Sequence, residues 1–238
     1  MRWRTALRLG RISNLPTVWS NVTAATVLAG AAAPSGGMVA LAVACSCFYV
    51  GGMFLNDAFD REHDARLRPD RPIPAGAVGT SEVLVVGFGL LAGGLVLCAT
   101  IARAVRPDAA GAAIASAAAL AAAILLYDVW HKGNPVAPLL MGLCRVFVYV
   151  TTAATLTGAV PWAVIAGAMI MLAYLIMLTA IARHPVFGAR PSFVALLIAG
   201  IALVDGAATA LAGRPELALA CVGAFALTLL LQRWVAGT

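Results

Sequence analysis

In this 238-residue chain 62% of residues are hydrophobic, 11% are charged and the mean hydropathy is +0.95. Soluble domains carry about 25% charged residues, so the composition excludes a soluble globular domain and points to a polytopic membrane protein. The net charge of +6 is not a nucleic-acid signal: basic residues at span ends set orientation and meet anionic lipid.

The N-terminal stretch 1–12 reads as an interfacial helix. Arg4, Arg8 and Arg11 share one face, and Trp3 and Leu7 form part of another. It superficially resembles a signal peptide, but Pro16, Ser20 and Asn21 interrupt the apolar region that a signal needs. Apolar segments near the ~20 residues that cross a bilayer follow at 15–33, 38–56, 83–103, 108–127, 135–157, 160–182, 192–212 and 215–234. The fold class expected is therefore all-α, a single-domain membrane bundle over 1–238 with about eight (eight to nine) transmembrane helices. Gly- and Pro-bearing breaks separate the spans, for example Pro34-Ser35-Gly36-Gly37 and Gly133-Asn134-Pro135. Gly89 and Gly93, four residues apart, are expected to mark a close helix contact. All five cysteines (Cys45, Cys47, Cys98, Cys144, Cys221) lie in apolar spans and read as small buried residues, not as disulfides or metal ligands.

Lys and Arg set the orientation. With the N-terminus inside, twelve basic residues fall on the cytoplasmic side and three (Arg103, Arg106, Arg214) outside, with Arg145 inside a span. Both termini, the segment 57–80, the loop holding Lys132 and the loop 183–191 are then expected to face the cytoplasm.

Five of the ten acidic residues crowd between Asp57 and Asp70, after the second span. On a helix Asp57, Asp60 and Asp64 (i, i+3, i+7) fall within roughly 60° of one face. Like charges there repel, and a cation reverses the sign. Mg²⁺ suits the site because it commonly uses one or two carboxylates plus substrate phosphates. Arg61 and Arg68 fall near the same face, where they could contact phosphate oxygens. The rival reading is a solvated loop of internal Asp–Arg pairs.

Asn56-Asp57-x-x-Asp60-x-x-x-Asp64, followed by Arg68-Pro69-Asp70-Arg71-Pro72-Ile73-Pro74-Ala75-Gly76, resembles the first Asp-rich motif of the UbiA superfamily of intramembrane prenyltransferases, ungapped over Asn56–Gly76. Arg11–Thr17 resembles the start of that family's first helix, and Tyr127 with Lys132 its next functional loop. Met141-Gly142-Leu143-Cys144-Arg145 resembles the UbiA-like EboC subgroup. The resemblance implies a helical ring around a lipid-filled pocket, usually of nine helices. It also implies Mg²⁺–diphosphate binding by Asn56, Asp57, Asp60 and Asp64. Asp57, Asp60, Asp64 and Lys132 form the expected catalytic set. Asn56, Arg68, Arg71, Tyr127, Arg145, Asn14, Arg183 and Arg190 are the expected substrate contacts.

Asn14, Thr17 and Asn21 read equally as pocket lining or packing. Arg145 and Asp205 are ionisable groups inside spans and hence functional candidates; Asp205 could pair with Arg145 or reach Arg103 or Arg214. His63, His131 and His184 lack ligand spacing. The family's second Asp-rich motif is missing, because residues 183–191 (Arg-His-Pro-Val-Phe-Gly-Ala-Arg-Pro) hold no carboxylate. Arg183 and Arg190 could replace a metal's charge there, or the loop has lost its function.

The function expected is Mg²⁺-dependent transfer of an isoprenoid chain from a prenyl diphosphate to a lipophilic or aromatic acceptor, in a bacterial inner membrane and without a nucleic-acid partner. A terpene cyclase on the same scaffold and a non-catalytic lipid-binding or transport component are the alternatives.

Overall fold

In the computed structural model, which describes residues 1–188 and 190–235, the chain forms helices and connecting loops, with no strand among the described residues. A short helix α1 (Trp3–Leu9) and a 3₁₀ turn (Ile12–Asn14) lead into α2 (Leu15–Leu28). Then come α3 (Gly36–Phe59), α4 (Arg61–Leu67), α5 (Thr80–Val105), α6 (Ala110–Trp130), α7 (Ala137–Thr157), α8 (Trp162–Arg183), the short α9 (Pro185–Gly188), α10 (Pro191–Leu211) and α11 (Pro215–Gln232).

Local chemistry sets these limits. Ser35 caps α3 by accepting a hydrogen bond from the Met38 amide at 3.2 Å. Proline occupies the first turn of α2, α7, α10 and α11, where its missing N–H costs nothing.

Seven helices, α3, α5 with α6 to α8, α10 and α11, are long and apolar enough to cross a membrane among the described residues. The chain is a multi-pass membrane protein. The first expected span, 15–33, ends early: α2 has 14 residues, a length of about 21 Å at 1.5 Å per residue. It sits inside the bundle rather than on its lipid face, with every residue from Leu15 to Val27 buried except Trp19. The spanning helices touch one another in chain order from α3 to α11. α2 packs between α3 and α11 and also against α7, α8 and α10.

The tightest pair is α3 with α5. A Cβ at Gly51 would lie 2.9 Å from the Gly87 carbonyl oxygen, and one at Gly94 would lie 3.1 Å from that of Ala44. The contact face of α5 is therefore Gly87 and Gly94. The expectation for Gly89 and Gly93 is corrected, since neither has a heavy atom within 4 Å of its Cβ position. The spacing was right for a small-residue seam, but those two glycines lie on another side of α5. The five cysteines are free, and three of them, Cys45, Cys98 and Cys221, are fully buried.

Candidate active site

A cavity of about 220 Å³ opens within the ring, between α2, α3, α6, α7, α8 and α10. One end is polar, lined by Arg11, Asn14, Asn56, Tyr127 and Asp128, and Arg145 borders it further along. The rest is apolar, formed by residues such as Phe48, Leu120, Ile124, Val148, Leu175 and Ile201.

The carboxylate cluster stands beside the polar end because the helix hardly stops there. Asp60 N–H donates to the Asn56 carbonyl and Asp64 N–H to that of Asp60, both at 2.9 Å, so helical spacing carries on from α3 into α4. Asp57, Asp60 and Asp64 are all buried. They do not share one partner. Asp57 and Asp64 converge on Arg71 Nη1, at 3.0 and 3.1 Å, and Arg11 approaches Asp57 at 3.5 Å. Asp60 turns to the next loop, with Lys132 Nζ at 2.9 Å and His131 Nε2 at 3.4 Å.

The loops are built to deliver these cations. Arg71 precedes Pro72, Ile73 and Pro74, and Ile73 packs on a small core of Leu9, Phe54, Ala58, Val78 and Val83. That anchor holds the Arg71 side chain at only 16% exposure. Lys132 follows α6 in a tight turn. Gly133 takes the left-handed backbone (φ 68°) that side chains disfavour. Asn134 ties the turn to both helices, donating to the Trp130 carbonyl at 3.0 Å and accepting from the Val136 amide at 2.8 Å.

Arg11 itself has φ 41°, a conformation costly for a residue with a Cβ and commonest at functional sites. Its carbonyl accepts from the Tyr49 hydroxyl at 3.5 Å. Burial works to raise the Asp60 carboxyl's pKa, but hydrogen bonds from His131 and Lys132 outweigh it and hold it below the usual range. The same Asp60 bond raises His131, against burial.

Other expected residues fall into three groups. Asn56 is buried but turns from the acidic cluster, donating through Nδ2 to Asp128 Oδ1 at 3.3 Å. Tyr127 lines the cavity and stacks on His131, ring centroids 4.9 Å apart. Asn14 lines the cavity and accepts from Gln232 Nε2 at 3.0 Å, which fastens α11 to the start of α2. Arg61 and Arg68 are exposed, and Arg61 pairs with Glu62 at 2.9 Å. The side chains of Arg183 and Arg190 are also exposed, and neither lines the cavity. Ala189, within the loop expected to hold the second motif, lies outside the described residues, as do 236–238 at the C-terminus.

Arg145 and Asp205 belong to one network but do not form a direct ion pair. Arg145 donates to the Thr17 carbonyl and Oγ1, both at 3.0 Å, and to Asn21 Oδ1 at 2.5 Å. Asn21 Nδ2 donates onward to Asp205 Oδ2 at 2.8 Å. Ser20 and Tyr149 complete the Asp205 carboxylate. Arg214 instead binds Glu216 and the Ala33 carbonyl. Asn21 is thus a packing residue, while Thr17 receives the arginine that borders the cavity.

Three residues with a place in the site went unrecognised in the sequence. Arg11 read as one of several interfacial arginines, His131 as a scattered histidine, and Asp128 drew no notice. The available signal was Asp128 itself, a carboxylate between Tyr127 and Lys132 at the end of an apolar span.

Among the described residues no group of three or more His, Cys, Asp or Glu side chains is placed to hold a metal ion. Two converging carboxylates are present, and the Arg71 nitrogen between Asp57 and Asp64 marks a point that both oxygens reach. This fits a magnesium ion whose other ligands are phosphate and water.

The UbiA prenyltransferase family model matches residues 15–237. Among curated relatives, digeranylgeranylglyceryl phosphate synthase of Methanopyrus kandleri is 32% identical over 149 residues, covering 60% of this chain and 52% of that protein. The protein of the same name from Methanothrix thermoacetophila is 34% identical over 87 residues, 37% of this chain and 30% of the relative. The chain therefore spans about half the length, or less, of these relatives. A solved structure, described as "Structural and mechanistic insights into the biosynthesis of Digeranylgeranylglyceryl phosphate synthase in membranes", superposes with a TM-score of 0.62 at 17% identity. It covers 97% of this chain and 87% of its own, a likeness of fold.

Proposed function

This chain belongs to the UbiA prenyltransferase family, and we propose that it transfers an isoprenoid chain from a prenyl diphosphate to a lipophilic acceptor inside the membrane, with Mg²⁺. The observation that carries this reading is the convergence of Asp57 and Asp64 on one cationic nitrogen, next in sequence to Asn56 at the polar end of an apolar cavity. Mg²⁺ held by Asp57 and Asp64, when bound, would neutralise charge building on the departing diphosphate.

The chain's own residues do the rest. Arg11, Arg71 and Lys132 stand against the Asp57–Asp64 cluster and offer positive charge to that leaving group. Arg71 has to yield its carboxylates to the metal and then faces the phosphates. The apolar wall from Phe48 to Ile201 takes the isoprenoid tail and excludes water. Tyr49 and Tyr127 line the cavity, and aromatic rings there suit an allylic cation.

The positive-inside bias favours the Asp57–Asp64 end on the cytoplasmic side of the membrane, a bacterial inner membrane in this reading, where soluble diphosphates are available. The names of the relatives favour a prenylated glyceryl phosphate as acceptor over an aromatic one.

The test is purified protein in nanodiscs with geranylgeranyl diphosphate, Mg²⁺ and a panel of acceptors. Magnesium-dependent diphosphate release with a prenylated product supports transfer. A cyclised hydrocarbon marks a cyclase. Binding without release marks a lipid-binding protein, the reading favoured by the carboxylate-free loop at 183–191.

A further inference from the structure

Asp128 stands at the polar end of the cavity and takes no part in the chemistry proposed above. It is 3% exposed and lines the cavity beside Asn56, Tyr127 and Cys144. Its Oδ1 accepts from Asn56 Nδ2 at 3.3 Å, while its Oδ2 is buried with no hydrogen-bond partner among the described residues. The position is expensive. Asp128 lies in the last turn of α6, where the helix dipole disfavours a carboxylate, and a buried polar oxygen without a donor costs the full loss of hydration. A carboxyl group with only a structural task would have both oxygens satisfied, as Asp205 has.

We propose that Asp128 Oδ2 is the recognition point for the acceptor, receiving a hydrogen bond from a hydroxyl group at its reacting end. This rests on the transferase reading and narrows it: the acceptor is a lipophilic alcohol, not a molecule that reacts through a ring carbon. Two features favour a hydroxyl over a second cation. The Asn56 amide already presents N–H donors to this carboxylate, and those repel a metal. No set of three metal-ligating side chains surrounds it among the described residues. A bound hydroxyl supplies the missing donor, and the cavity's apolar wall accepts the chain attached to it. Sites that must hydrogen-bond a hydroxyl discriminate strongly against analogues without one, because the buried oxygen is then left unpaired.

The experiment uses the whole protein in nanodiscs with a C20 prenyl ether of glycerol, which keeps a free hydroxyl, and its fully O-methylated form. Infrared difference spectra should show the alcohol, and not the methyl ether, shifting a carboxyl band that is missing from Asp128→Asn. The KM for the alcohol should rise at least about tenfold in Asp128→Leu and less in Asp128→Asn. Geranylgeranyl diphosphate binding with Mn²⁺ should change less than about twofold.

Equal responses to alcohol and ether, no band response, or an unchanged KM would each overturn the assignment. Parallel loss of Mn²⁺–diphosphate binding would overturn it too, moving Asp128 to the diphosphate site. If the parent releases no diphosphate, the transferase reading fails, yet the infrared response still decides whether Asp128 binds a hydroxyl. Asp128→Asn keeps shape and hydrogen-bonding capacity, so the comparison survives misfolding of the leucine variant.

Discussion

Two places in this molecule combine arginine with aspartate, and they differ in who completes the carboxylate. At the end of α3, Asp57 and Asp64 are completed by the charged Arg71, with Arg11 nearby, and Asp60 by Lys132 and His131, all on loops or chain ends. In the bundle interior Asp205 is completed by Ser20, Asn21 and Tyr149, neutral groups on rigid helices, with Arg145 one residue removed. The first arrangement can exchange one cation for another. The second has every oxygen committed and nowhere for a ligand to enter. An ionisable residue inside a span is therefore no guide to function until its partners are known.

Breaking the interior network should give the largest effect. Asp205→Ala leaves Ser20, Asn21 and Tyr149 without their acceptor and removes the negative charge nearest to Arg145 in that network, and loss of one member of a buried charged network costs about 3–5 kcal/mol. Thermal unfolding in detergent should show it directly, and a variant as stable as the parent would dissolve the contrast.

At the α3 end the loss should appear in activity instead. Asp57→Ala or Asp64→Ala should lower Mg²⁺-dependent diphosphate release by about 10²–10³-fold, as for removal of a charge-stabilising group. Melting should move little, since Arg71 retains a second carboxylate. Large destabilisation with normal turnover would reverse the two roles.

Tyr149→Phe sharpens the interior side, because it deletes one donor to Asp205 and leaves the packing. A hydrogen bond to a charged group contributes about 1.5–3 kcal/mol, so a measurable drop in unfolding stability at unchanged diphosphate binding is expected. The smallest effect belongs to Arg183→Gln/Arg190→Gln. These exposed side chains stand outside the cavity lining, and the double variant should weaken diphosphate binding less than Arg71→Gln does. A titration showing the reverse order would bring the 183–191 loop back to the site.

The spans and their breaks were readable because hydropathy and turn residues act locally. Pro135, Pro191 and Pro215 fall within two residues of the observed helix starts at Ala137, Pro191 and Pro215. The spacing of Asp57, Asp60 and Asp64 predicted one shared face; Asp57 and Asp64 meet at Arg71, while Asp60 turns to Lys132 and His131. What stayed hidden depends on helix rotation. Helices apolar on every side carry no stripe that tells which face meets which neighbour, so Gly89 and Gly93 could not be distinguished from Gly87 and Gly94. Contacts between distant segments are equally silent. Nothing near Asp128 announces Asn56, 72 positions earlier, and nothing in Arg11 announces its left-handed backbone.

The short, enclosed α2 has a consequence for how the protein is made. Its polar residues Ser20 and Asn21, and Asn14 just ahead of it, find partners on α10 and α11, at Asp205 and Gln232. During synthesis α2 emerges early and waits. Too brief to span alone and too polar to rest against lipid, it has no finished environment until almost the whole chain has entered the membrane. A helix made before α3 is enclosed only once α10 and α11 are in place, so truncations that remove those two helices also strike the core around α2.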